Sequence, residues 1–183
     1  MKEKSADYLF LGLVGMWLII GLVILTSASG PIGIREFDDT YYFIKQQLLL
    51  GVLPGLAGFF ITVNFKLDWF KKLAWPIYII SLILLILVFI PGIGTDLSTA
   101  AQSWILLGNY TLQPAELAKP GLIIFMSYYL SEVGDKITSW EGFSFSLLFG
   151  MIPIGLIALQ PDIGTATILF GILFVMLFLA GAR

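Results

Sequence analysis

The 183-residue sequence contains no cysteine and no histidine. The first absence excludes disulfides and a thiolate nucleophile. The second excludes a Ser-His-Asp triad, and together they exclude any zinc site built on Cys or His ligands. Charge is scarce as well: Asp, Glu, Lys and Arg make up 12% of the chain, against about a quarter in soluble domains. The 10 basic and 12 acidic residues nearly cancel, leaving a formal net charge of −2. No basic footprint for a nucleic acid is present. Chemistry is left to carboxylates, lysines, hydroxyls, amides and the backbone.

What the chain has in excess is apolar surface, 58% of its residues. Six stretches, 8–29, 46–65, 73–90, 120–130, 142–160 and 163–182, carry no Asp, Glu, Lys or Arg. A helix needs about 20 apolar residues to cross roughly 30 Å of hydrocarbon. Five stretches satisfy this by length. The fourth does so only if it starts near Pro114 and takes Glu116 and Lys119 into its first turns. Lys2 and Lys4 before the first stretch, and Thr26-Ser27-Ala28-Ser29-Gly30 after it, imitate a signal peptide. The run is too long for one, and five more follow, so it reads as a retained helix. Inside lipid the backbone must satisfy its own hydrogen bonds, which makes these runs helices. The expected fold is all-α: a single polytopic membrane domain over residues 1–183 with about six transmembrane helices.

Placing the N-terminus in the cytoplasm puts Lys2, Lys4, Lys66, Lys71, Lys72, Lys136 and Arg183 inside, against Arg35, Lys45 and Lys119 outside. This distribution predicts cytoplasmic N- and C-termini. Trp69, Trp75, Tyr41, Tyr42 and Trp140 sit near span ends, as interfacial aromatics do. Residues 67–72 read as a short cytoplasmic loop and 31–40 as the first outer loop, with Arg35, Glu36, Asp38 and Asp39. The second outer loop, 91–113, has Asp96 as its single charge and an apolar patch, Trp104-Ile105-Leu106-Leu107-Gly108. Its length marks it as functional, and it is expected to fold back on the outer membrane surface.

Leu112-Gln113-Pro114-Ala115-Glu116 and Leu159-Gln160-Pro161-Asp162 share one design. Gln-Pro ends an outer connection, proline suits the first helical position, and an acid falls at the positive end of the next helix. Asp162 can serve simply as an N-cap, and Glu116 with Lys119 as an i,i+3 ion pair. Charges beside hydrocarbon also mark polar cavities and pathways. Two carboxylates and an ammonium at similar depth suit a divalent cation, Mg or Mn, bound through Glu116 and Asp162 together with a phosphorylated ligand. Lys45 at the outer start of the second span could meet an anionic headgroup or simply snorkel. Gly51, Gly55 and Gly58 read as a close-packing helix face, Pro54 and Pro153 as kinks, and the sixth span as lipid-facing surface.

These motifs resemble those of the SEDS family (shape, elongation, division and sporulation) of bacterial membrane proteins. The resemblance rests on Leu25-Thr26-Ser27-Ala28-Ser29, Phe43-Ile44-Lys45-Gln46-Gln47 and Ala101-Gln102-Ser103-Trp104-Ile105-Leu106-Leu107-Gly108. It continues in Gln113-Pro114-Ala115-Glu116-Leu117-Ala118-Lys119, Gln160-Pro161-Asp162-Ile163-Gly164-Thr165-Ala166 and Ala180-Gly181. It covers the whole chain in order, and the loop leans towards the RodA (elongation) branch over the FtsW (division) branch. The resemblance implies a multi-pass peptidoglycan glycosyltransferase of the bacterial cytoplasmic (inner) membrane. Such an enzyme polymerises lipid II beside a class B penicillin-binding transpeptidase, among membrane lipids. It assigns diphosphate binding to Glu116, Lys119 and Asp162, and adds Gln113, Gln160, Thr165 and Trp104 as candidates alongside Lys45. It also implies an N-terminal fragment, inactive alone, with the family's catalytic Asp expected beyond Arg183. Ser103 stands where the family usually has Arg. The rival readings are a lipid flippase or transporter, which also needs charges in a polar cavity, and a non-enzymatic scaffold for the transpeptidase.

Overall fold

The structure, a computed structural model, describes residues 7–95, 102–108 and 110–182. Lys2, Lys4, Asp96, residues 98–101 and Arg183, all used in the sequence reading, lie outside the described residues. The chain divides into two compact units, Met1–Phe65 and Lys66–Arg183.

The first unit opens with α1, Tyr8–Phe37, started by Asp7, whose carboxylate accepts the Phe10 N–H at 2.9 Å. The expected loop at 31–40 is mostly helix. Pro31 removes one hydrogen bond, the one to the Ser27 carbonyl, and the helix runs on through it. The stop comes at Asp38, in the left-handed conformation (φ 53°), whose N–H returns to the Gly33 and Ile34 carbonyls. A Cβ on Gly33 would come within 2.6 Å of the Asp39 carbonyl oxygen, so the returning chain needs glycine there.

The second helix spans Tyr42–Asn64 as α2 (Tyr42–Gln46), a π-helical turn (Gln47–Val52) and α3 (Leu53–Asn64). Pro54 explains the wide turn: it cannot donate to the Leu50 carbonyl, and a π-bulge accommodates such a gap. Within the first unit the glycine face of this helix meets no other helix. Among the described residues nothing lies within 4 Å of a Cβ built on Gly55 or Gly58, and Gly51 meets only Gln47 of its own helix.

The second unit contains α4 (Leu67–Leu87), α5 (Pro114–Val133), α6 (Trp140–Leu159) and α7 (Ile163–Leu179), with a 3-10 turn, Gly134–Thr138, before α6. Residues 67–72, expected as a loop, are the first turns of α4, entered from extended Lys66. Helix α5 starts at Pro114, so Glu116 and Lys119 do lie in its first turns. Among the described residues four helices are long and apolar enough to cross a membrane: Tyr8–Phe37, Tyr42–Asn64, Leu67–Leu87 and Trp140–Leu159. Helix α5 has the length but carries too many polar groups, and α7 is apolar but only 17 residues long.

Helix α5 packs against α4, α6 and α7. Its Ala115, Ala118, Leu122, Phe125 and Met126 are buried with Leu85, Ile157, Leu169 and Leu173 of its neighbours. The stripe Ala166, Leu169, Leu173 and Leu177 of α7 is buried, so the sixth span, read as lipid-facing surface, is exposed on the rest of its circumference, where Ile168, Phe170, Phe174, Val175, Phe178 and Leu179 lie. Glycines permit two close approaches. A Cβ on Gly121 would stand 3.1 Å from the Ser81 hydroxyl, and one on Gly150 would collide with Leu173. Tyr78 stacks on Phe125 (4.0 Å between centroids), with Trp75, Tyr129 and Phe149 around them.

One departure from an all-helical chain lies between α4 and α5. Strands β1 (Gly94–Thr95), β2 (Trp104–Leu107) and β3 (Tyr110–Leu112) form a small antiparallel sheet in the order β1-β2-β3. Ile105 pairs with Gly94 on one side and Leu112 on the other. A Cβ on Gly94 would collide with the Val88 carbonyl oxygen, so this residue lets the sheet start directly against the end of α4.

Candidate functional site

The two Gln-Pro-acid segments meet at one end of the second unit. Gln113 is the N-cap residue of α5, yet its side chain does not cap that helix. Its amide Nε2 instead donates to Asp162 Oδ2 across the bundle at 3.1 Å, while its carbonyl accepts the Glu116 N–H at 3.0 Å. Asp162 caps α7: Oδ1 accepts the Thr165 N–H at 3.0 Å and Oδ2 the Thr165 hydroxyl at 2.8 Å. Gln113, Asp162 and Thr165 therefore form one clasp between two helix starts.

Glu116 and Lys119 form the i,i+3 pair, Nζ to Oε1 at 2.7 Å, with the Lys119 side chain one quarter exposed and Glu116 more than half. The clasp and the ion pair share the first turn of α5. Two helix N-termini at this end add positive dipole ends to the Lys119 ammonium. Gln160 behaves differently. It is 1% exposed and donates Nε2 to the Leu85 carbonyl at 2.9 Å, where the last turn of α4 opens; its Oε1 has no partner among the described residues. Trp104 sits half-buried in β2, and Ser103 just before it is buried. Lys45 belongs to the first unit, where Nζ holds Asp39 Oδ2 at 2.7 Å. That bond and the Tyr41 N–H keep the Asp39 carboxyl below its ordinary value.

Among the described residues no group of three acidic side chains is placed to hold a metal ion. Glu116 and Asp162 are hard oxygen donors of the kind Mg or Mn takes, so they would suit a cation only together with ligand phosphates.

Sequence reasoning did not find the Tyr78 hydroxyl, which donates to the Phe149 carbonyl at 2.6 Å. Pro153, four residues on, deprives that carbonyl of its helical donor. The proline was the available signal.

A family model for cell cycle proteins, that of FtsW, RodA and SpoVE, matches residues 7–183. The chain belongs to this family. It is 37% identical to the stage V sporulation protein E of Bacillus subtilis (strain 168) over 100% of this chain and 50% of that protein. It is also 37% identical to a probable peptidoglycan glycosyltransferase FtsW of Trichlorobacter lovleyi, over 97% of this chain and 46% of the relative. Among solved structures, the rod shape determining protein RodA of Thermus thermophilus superposes with a TM-score of 0.66 at 28% identity, covering 91% of this chain and 54% of that one. A peptidoglycan synthase complex, described as coordinating polymerization and crosslinking, includes a chain with a TM-score of 0.66 at 32% identity, covering 88% of this chain and 47% of that one. The chain thus spans about half the length of the curated relatives it matches. The matches include FtsW, SpoVE and RodA proteins and do not choose between branches. Family membership and the spanning helices make this a multi-pass protein of the inner membrane.

Proposed function

We propose that this chain is the N-terminal, substrate-holding part of a peptidoglycan glycosyltransferase that polymerises lipid II during cell-wall elongation, shape maintenance and division, beside a transpeptidase. The observation that carries the site is the clasp. Gln113 is committed to Asp162 and not to its own helix, which sets the uncapped start of α5 and Lys119 beside the start of α7. Backbone N–H groups at helix starts and an ammonium suit a diphosphate. Both helix starts belong on the outer side, opposite the end that carries Lys66, Lys71, Lys72 and Lys136.

The charges set a further condition. Glu116, Lys119 and Asp162 sum to −1, so an incoming diphosphate is repelled unless more positive charge arrives with it. A Mg or Mn ion shared by Glu116, Asp162 and the phosphates would supply that charge and polarise the leaving diphosphate. In the reaction a base removes the proton of the acceptor sugar hydroxyl while Lys119 stabilises the departing diphosphate.

The test is binding of a polyprenyl diphosphate to the purified chain in detergent, followed by Trp fluorescence. Lys119→Met and Asp162→Asn should each weaken binding about tenfold, the equivalent of ~1.4 kcal/mol. Wild-type affinity in both would refute the assignment. For a whole family member carrying these residues, polymer from lipid II separates the polymerase from a flippase, which would move lipid II across the bilayer and make none. A scaffold would tolerate alanine at Glu116 and Asp162.

A further inference from the structure

At the opposite end of the second unit, an open groove of about 370 Å3 runs between the first turns of α4 and the second half of α5. Leu67, Phe70, Ile123 and Ile124 form its apolar walls, with Ser127, Ser131, Tyr128 and the cation Lys71 beside them. Lys71 has no carboxylate within ion-pair distance among the described residues; Asp68, one turn earlier, does not reach it. Lys66 and Lys72 flank it in sequence, and the Lys72 ammonium stands 5.7 Å from the Trp69 ring centre. An unpaired ammonium and amphipathic rings at a bundle end, above an apolar slot leading inward, match a phosphate over an acyl chain.

We propose that this groove holds one acyl chain of an anionic phospholipid of the adjacent leaflet, with its phosphate on Lys71. The site is separate from the clasp and the ion pair, at the other end of the same helices. Its test is lipid retention by the purified chain, counted by native mass spectrometry. The protein is offered equal amounts of phosphatidylglycerol and phosphatidylcholine with identical chains. Wild type should retain phosphatidylglycerol about fivefold in excess, the size of one lysine contact at an anionic surface. Lys71→Gln should bring the ratio near one, whereas Lys136→Gln, a lysine of the same end outside the groove, should leave it unchanged. Ile124→Trp, which fills the slot, should lower retention of both lipids, with circular dichroism confirming intact helices in every variant. Equal retention of the two lipids by wild type, or an undiminished preference in Lys71→Gln, would overturn the proposal. So would a dimer that Ile124→Trp dissociates, since that assigns the groove to a second copy of the chain.

Discussion

Tyr78→Phe deletes one oxygen and leaves the ring stacked on Phe125. It orphans a part-buried carbonyl, because the Phe149 oxygen that accepts the Tyr78 hydroxyl at 2.6 Å faces proline at the position that would normally donate. Side-chain hydrogen bonds within membrane proteins average about 0.6 kcal/mol and reach about 1.7. An unsatisfied buried acceptor costs about 1–3 kcal/mol. Since no helical donor can replace the hydroxyl, the cost should lie where these ranges meet, about 1–1.7 kcal/mol. Pro153→Ala returns an N–H four residues after Phe149. In that background the carbonyl has its helical partner again, and Tyr78→Phe should cost only a few tenths of a kcal/mol. The double-mutant cycle cancels the cavity and propensity effects of the proline change and leaves a coupling of about 1 kcal/mol. Unfolding in detergent micelles titrated with dodecyl sulfate measures it. Trp75, 5.8 Å from the Phe149 ring and 4.8 Å from Phe125, is one fluorescent reporter inside this cluster. The same cost for Tyr78→Phe in both backgrounds would show that the hydroxyl does not serve as the substitute donor.

Further outcomes follow from other joints. Gly150→Val drives a branched side chain into Leu173 and should cost about 1–3 kcal/mol in the same titration, with Leu173→Ala recovering part of it. Asp39, held ionised by Lys45 and the Tyr41 N–H, should titrate below the ordinary carboxylate value by NMR, and Lys45→Met should move it up. Because its folded value is the lowered one, this pair supports the turn above the ordinary value and is lost as pH falls through the folded value. Magnesium should tighten binding of polyprenyl diphosphate relative to EDTA, and Asp162→Asn should abolish that increment. An unchanged affinity in EDTA would remove the cation from the reading.

The positions of the helices were legible because six uncharged apolar runs leave a chain in lipid little alternative. Their ends were not. Pro31 looks like a stop but sacrifices one hydrogen bond, and Lys71 and Lys72 look like loop although a helix end at a membrane surface accepts them. The sheet was hidden because a strand of four apolar residues, Trp104–Leu107, has no pattern distinguishing it from an apolar patch. Glycine spacing said nothing about Gly121 and Gly150, where the close approach depends on which helix lies opposite. The Gln-Pro-acid starts were legible as helix starts, and the capping of Asp162 followed from local physics. The bond from Gln113 to Asp162 joins residues 49 apart, and the one from Gln160 to Leu85 joins residues 75 apart. Local rules do not reach that far.

Helix α5 shows why the candidate site sits where it does. It is the long helix with too many polar groups to qualify as a span, and it also buries more residues than any other helix of the unit. Those two properties have one cause. A helix that gives more of its surface to its neighbours needs less hydrophobicity than its partners, so it can carry charge in its first turns. Which way the charge faces is set by Ala115 and Ala118, both fully or almost fully buried where small side chains let the neighbours close in. Glu116 and Lys119 each follow one position later and fall on the open side. Rotating α5 by one residue would bury the ion pair, at a desolvation cost of several kcal/mol per ion, and expose the alanines for no return. The alanine pair therefore orients the ion pair, and the Gln113–Asp162 clasp holds it beside α7. Enlarging buried Ala118 to Leu should accordingly disturb diphosphate binding, whereas trimming its exposed neighbour Leu117 to Ala should not.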